Sequence, residues 1–291
     1  MLKKTLIVTL FNLLGFGLAF FANVIISAKF GAGYNLDCYI IALLVPNYIV
    51  SVLSIILSYT FIPIFTKYYF DEKNEAWTVA SIFLNIVAIF LVIICVILII
   101  FSGQIITLVS PGFKLEQQLY ASQLFRIYTP VIVFTALNEL IASIFYSNNK
   151  FVAPLINKVI SPVLTIIFVL FFSFSLNVKS IILASLIAAI IQFSILLFQL
   201  FRFPEFKFQF KVSIKNPGVK MILKLMAPLL ISTVFYKLFP VIDSSILSTL
   251  NVGDISRINY ANKIQLFIGS IISSVFSIIC LNFVCGLSYL S

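Results

Sequence analysis

The sequence contains no histidine among its 291 residues. That removes the commonest general base and metal ligand at neutral pH. Charge is scarce as well: 10% of the residues are Asp, Glu, Lys or Arg, where an ordinary soluble domain carries roughly 25%. So few charges cannot cover a globule of this length in water. The four cysteines, Cys38, Cys95, Cys280 and Cys285, lack metal-ligand spacing, and small apolar filler is their expected role. No Walker A loop, dinucleotide-binding glycine fingerprint, zinc-protease histidine pair or nucleophile elbow occurs. A soluble enzyme, a metalloprotein and an ATP-hydrolysing pump are thereby disfavoured, and no cofactor or metal is expected. A membrane-embedded enzyme such as a glycosyltransferase is disfavoured too, because no loop offers a catalytic carboxylate cluster.

What the sequence has is apolar length. Hydrophobic residues make up 62% of it, and mean hydropathy is +1.18. About 20 apolar residues cross a bilayer core as a helix. Eight segments pass that test, roughly 5–27, 38–64, 78–102, 119–146, 152–174, 179–201, 219–249 and 256–284. Runs such as LASLIAAIIQFSILLFQLF do not alternate as barrel strands would. The expected fold is therefore an all-α polytopic membrane protein. The N-terminal run imitates a signal peptide, with Lys3 and Lys4 before apolar residues. It continues for about 20 residues with no small-residue cleavage site, so it reads as a retained first span.

The net charge is +10, yet the basic residues fill short gaps between apolar runs rather than one solvated face. That pattern does not point to nucleic acid. Ten Lys and Arg fall with the N-terminus and the second, fourth and sixth loops; the opposite loops hold four, Lys29, Lys114, Lys179 and Arg257. The positive-inside rule places both termini in the cytoplasm. The sixth loop, RFPEFKFQFKVSIKNPGVK, alternates aromatic and polar residues. It either lies on the anionic leaflet, with Phe206, Phe208 and Phe210 dipping in, or is a topology-setting connector.

Charges inside spans are costly, so they usually face a wet cavity or the protein interior. Asp37, Glu139 and Asp243 are the acids there; Arg126, Lys158, Lys224, Lys237 and Lys263 are the bases. Lys224 and Arg126 sit near span ends, where long side chains can snorkel. Lys158, between Pro154 and Pro162, either lines a cavity or pairs with an acid such as Glu139. Lys237 and Asp243 are six apart and share no helix face unless the helix breaks, which Pro240 would permit.

The second hairpin reads IISAKFGAGYNLDCYIIALLVPNYI and then TFIPIFTKYY. Phe30, Gly31, Ala32, Gly33, Asp37, Tyr39, Ala42, Pro46, Asn47, Phe61 and Pro63 fall in the order of a known pattern. SPGF from Ser110, LFRIYTP ending at Pro130, NNKFVAP from Asn148, APLLIS, Asp243 and INYANK extend it. The set resembles the MurJ/MviN lipid II flippases of the multidrug/oligosaccharidyl-lipid/polysaccharide exporter superfamily. The resemblance implies a flippase for an undecaprenyl-diphosphate-linked saccharide (lipid II) in the bacterial cytoplasmic membrane, serving peptidoglycan synthesis. Its partners would be that substrate and membrane lipids. It also implies a cationic cavity with Lys263, Asp37 and Asp243 as leading polar residues, and Lys158 and Arg126 behind them. Gly31, Gly33, Pro46, Asn47, Pro63 and Pro130 would form the gate and kinks.

Two departures qualify that picture. Ala22 and Asn23 stand where the family has a charged pair, Pro46-Asn47 is not followed by arginines, and Lys263 replaces a cavity arginine. Lysine keeps the charge but loses bidentate phosphate geometry. An exporter of another lipid-linked oligosaccharide or of a drug is therefore a second reading. Family members also have about fourteen helices, and about eight are seen here. The expected layout is a six-helix lobe over 1–203, a basic linker over 204–220 and the first two helices of a second lobe over 221–291. A fragment, a truncated non-transporting homologue, or a half completed by a partner chain or a second copy would each fit.

Overall fold

Backbone carbonyls and amides must find partners within the chain when lipid replaces water, and long apolar runs do so as helices. The computed structural model describes the backbone of residues 2–148 and 150–287, and the side chains of 8–148, 150–270 and 272. The described elements are all helical: α1 (Leu2–Phe30), α2 (Tyr34–Asp71), α3 (Lys73–Ile100), α4 (Ser102–Val109), α5 (Leu115–Tyr128), α6 (Val131–Ser147), α7 (Val152–Leu176), α8 (Lys179–Leu200), α9 (Pro217–Lys237), α10 (Phe239–Leu247) and α11 (Asp254–Leu287). Seven described stretches are long and apolar enough to span a bilayer, with α5–α6 and α9–α10 each counting as one. The helix α11 occupies the eighth expected position. The side chains of Lys3, Lys4, Cys280 and Cys285 lie outside the described residues.

Proline placement explains where helices break. Pro130 cannot donate an N–H, and the chain leaves α5 at Tyr128 and resumes as α6 at Val131. Leu238 likewise separates α9 from α10, with Pro240 in the first turn of α10. By contrast α2 runs unbroken through Pro46 and Pro63, with Pro46 buried and Pro63 exposed. Asn216 caps α9: its Oδ1 accepts from Gly218 N at 3.0 Å and Val219 N at 3.2 Å, just before Pro217 enters the first turn.

The hub is α2, which touches α3, α5, α6, α9, α10 and α11. Phe61, Phe65, Phe83 and Phe125 are fully buried around it. Phe61 stacks on Phe65 at 5.4 Å and on Phe83 at 5.7 Å between centroids, an offset arrangement favoured by the ring quadrupole. The peripheral helix α7 is packed between α1 and α8.

Loops group by parity, as spans require. At one end Gly112 N donates to Ser248 Oγ at 3.1 Å, and the Tyr260 hydroxyl donates to Gly31 O at 2.8 Å. At the other end Lys73 pairs with Glu205 at 3.8 Å, and the Lys150 ammonium lies 3.7 Å from the Phe203 ring centroid. We call these the first-loop end and the linker end.

Candidate functional site

A cavity of about 770 Å³ lies where α1 and α2 face α9, α10 and α11. Its wall on the α1–α2 side carries Asn23, Asn47, Tyr48 and Ser51 among apolar residues. The opposite wall carries Lys237, Asp243, Ser244, Asn259, Asn262 and Lys263. The helix break at Leu238 is what lets Lys237 and Asp243 both reach the cavity; one straight helix would send them about 120° apart. The charged lining is thus two cations and one anion. A volume of this size suits a drug-sized or sugar-sized polar ligand.

The polar residues of the wall are held in place. Asn47 Oδ1 accepts from the Tyr128 hydroxyl at 2.8 Å, fixing the amide beside Pro46. The Tyr48 hydroxyl donates to Val234 O at 2.9 Å, tying α2 to α9 across the cavity. Asn23 Nδ2 donates to Ala19 O of its own helix at 2.7 Å.

Asp37 does not line this cavity, although its neighbours Leu36 and Tyr39 do. It is 1% exposed and its carboxylate is committed elsewhere. It accepts from the backbone N–H of Gly253 and from the hydroxyl and the N–H of Ser256, the last at 2.9 Å. These donors stand at the start of α11, where unsatisfied amides and the helix dipole favour an anion. Gly31, with φ +61°, and Gly253, with φ +96°, hold left-handed turns that L side chains rarely adopt. Gly33 is extended and precedes α2. Nearby, a Cβ at Gly112 would overlap the Ser248 and Thr249 backbone. Asp37, Gly112 and Gly31 therefore form one latch between the first six spans and α10–α11.

Of the five expected polar residues, Lys263 and Asp243 both line the cavity, and Asp37 lies in the latch, next in sequence to the lining residue Leu36. Lys158 lies elsewhere: its Nζ donates to Asn12 Oδ1 at 2.8 Å, on the seam between α7 and α1. Arg126 is exposed, and its Nε donates to Ser102 Oγ at 2.6 Å, joining α5 to α4. Pro130 marks the α5–α6 break, away from the cavity lining. Sequence reasoning missed Asn259, Asn262 and Ser256. The turn NVGDISR carried the signal for Ser256, since small polar residues and glycine mark helix starts.

Comparison with known proteins fits this arrangement. The family model described as lipid II flippase MurJ matches residues 26–284. A probable lipid II flippase MurJ of Buchnera aphidicola subsp. Acyrthosiphon pisum is 30% identical over 279 residues, covering 91% of this chain and 53% of the relative. One from Rickettsia prowazekii is 30% identical over 227 residues, covering 77% and 45%. The chain spans about half the length of the curated relatives it matches. Among solved structures, a lipid II flippase MurJ in an inward closed conformation superposes with a TM-score of 0.76 at 25% identity, over 90% of this chain and 54% of that one. A MATE transporter of Vibrio cholerae in a bent form superposes with a TM-score of 0.71 at 14% identity, which speaks to fold alone. A two-sided polar cavity on an all-helical membrane scaffold and these matches together lead to one assignment: the chain belongs to the MurJ lipid II flippase family.

Proposed function

We propose that this chain supplies the first lobe, and the opening helices of the second, of a flippase that moves lipid II across the bacterial cytoplasmic membrane for peptidoglycan synthesis. The observation that carries this reading is the cavity between α1–α2 and α9–α11, with Lys237 and Lys263 on one wall and the Asp37 latch at one end. A saccharide diphosphate cannot cross hydrocarbon unaided, because desolvating its charge costs far more than thermal energy supplies. A wall of amides can replace water around sugar hydroxyls, and two ammonium groups can meet the diphosphate. Alternation then requires the cavity to open at one end while the other stays shut, and a latch of directional hydrogen bonds suits a gate that releases as a unit. The ten-to-four bias of Lys and Arg supports a cytoplasmic N-terminus and linker end, with the latch on the outer side. The reaction is transport rather than catalysis.

The test is purified chain in liposomes containing fluorescent lipid II, scored for equilibrium binding and for headgroup accessibility from outside. We expect binding above that of undecaprenyl phosphate, which lacks the sugar and the second phosphate, and a roughly tenfold loss in Lys263→Ala, the scale of one charge-assisted contact. Equal binding of both lipids by folded protein would contradict the reading. A second reading, another lipid-linked oligosaccharide, draws on Asn23 and Asn47 in the wall and Lys263 in place of an arginine. Such a lipid outcompeting lipid II in the same assay would favour it.

A further inference from the structure

The sixth loop is long and strongly basic, and the cavity leaves it unused. Between Leu200 and Pro217 the chain forms turns and irregular backbone rather than helix, with Lys211 N donating to Gln209 O at 2.9 Å. Phe208, Phe210, Val212 and Ile214 are exposed along it, interleaved with the exposed Lys207, Gln209, Lys211 and Lys215.

Two polar residues of α3 hold this segment. Ser81 Oγ accepts from Gln209 N at 2.8 Å and donates to Gln209 O at 3.2 Å. Asn85 Nδ2 donates to Gln209 O at 2.7 Å and to Lys211 O at 3.2 Å. Phe206 is buried, with its ring 5.4 Å from Trp77. The reading that all three phenylalanines dip outward is thus corrected for Phe206: it anchors the segment to the protein.

The pins also bring the segment to the edge of the bilayer. From Ile82 to Ile100 the only polar side chain of α3 is Asn85. At a 1.5 Å rise per residue that stretch is about 28 Å long, the thickness of a hydrocarbon core. Ser81 then marks the edge of the hydrocarbon, and Gln209 is fastened to it. At that level Phe210 is 82% exposed, Ile214 63% and Val212 51%. Around them Arg202, Lys207, Lys211, Lys215 and Lys220 are all exposed. The one acid of the segment, Glu205, is paired with Lys73.

We propose that residues 207–215 form a lipid-docking segment that binds the anionic phospholipid surface of the leaflet at the linker end. Phe210, Val212 and Ile214 enter the interface while the lysines engage headgroup phosphates. Charge complementarity selects an anionic lipid over a protein partner, and the segment's direct continuity with α8 and α9 keeps it at the bilayer surface. Phe210, Val212 and Ile214 supply apolar insertion, and the lysines supply attraction that falls off within a Debye length.

The experiment uses the 291-residue chain in nanodiscs, spin-labelled at Phe210→Cys or Lys211→Cys in a background with its native cysteines replaced by alanine. Oxygen and a water-soluble nickel chelate report depth. In discs containing phosphatidylglycerol, the label at 210 is expected to favour oxygen and the label at 211 nickel. In phosphatidylcholine alone, or with Lys207, Lys211 and Lys215 changed to Gln, the oxygen-to-nickel ratio at 210 should fall about threefold or more, as expected when electrostatic attraction is lost. The triple-Gln variant carries its 210 label without touching any buried residue, so it folds independently of the answer. A label at 210 that sits in water in both lipids overturns the proposal. So does insertion that is equal in both lipids, or shielding from both reagents, which would assign the face to protein contact. Lipid II transport does not enter this readout, so its loss or retention leaves the result unaffected.

Discussion

The two ends of this helix bundle are closed by different physics. At the first-loop end, one buried carboxylate gathers three donors from the start of α11, and Gly112 lies so close to the Ser248 and Thr249 backbone that a Cβ there would overlap it. At the linker end, Trp77 packs against Phe65, Tyr69, Phe203 and Phe206 with ring centroids 5.3 to 6.2 Å apart. Directional hydrogen bonds to a charge are lost together when the geometry opens, whereas aromatic packing weakens gradually and tolerates sliding. The first design suits a gate that is open or shut. The second suits a permanent fastening of linker to lobe.

Four substitutions would break or sharpen this contrast. Trp77→Ala leaves a large void in the aromatic cluster and should cost about 3–5 kcal/mol. It should lower the thermal inactivation midpoint in detergent while leaving the first-loop end latched. Asp37→Asn removes the charge from the latch and should cost about 2–3 kcal/mol between α2 and α11, the scale of hydrogen bonds to an ionised group. At about 1.4 kcal/mol per factor of ten, that moves the closed-to-open ratio by about 30- to 150-fold. Gly112→Ala pushes a methyl into the Ser248 backbone and should weaken closure by about 1–3 kcal/mol, seen as faster labelling of a cysteine placed at Asn259. Asn85→Ala removes one pin from the linker at a cost of about 1 kcal/mol. Trypsin should then cut at Lys211 faster, with the latch unchanged.

Much of the fold was legible in the sequence because a bilayer imposes one simple demand. Runs of about 20 apolar residues had to be spans, and the breaks near Pro130 and Pro240 followed from proline's missing donor. The alternation of loops between two ends follows from the same count. Asp37 was legible as a residue of consequence but not as a latch, since its partner Ser256 is 219 positions away and no local pattern links them. Lys158 left two readings open in the sequence, a cavity wall or pairing with an acid such as Glu139, and its partner Asn12 is on an adjacent helix that no local pattern links to it. The amides of the cavity wall, Asn259 and Asn262, carry no charge to mark them, and only the packing of α11 against α1 and α2 brings them to the site. The pins at Ser81 and Asn85 were hidden likewise, because their partners are backbone atoms of a distant loop.

The central claim is that Asp37 holds the first-loop end shut across the cavity. It is tested most directly by the distance between spin labels at Tyr34→Cys and Val252→Cys, with native cysteines replaced, in lipid nanodiscs. Both positions are exposed and flank the latch. We expect a single short distance in the otherwise unaltered chain, and a second, longer population once Asp37→Asn is added. Identical distance distributions in the two proteins would contradict the account and leave the carboxylate as a local cap with no part in closing the cavity.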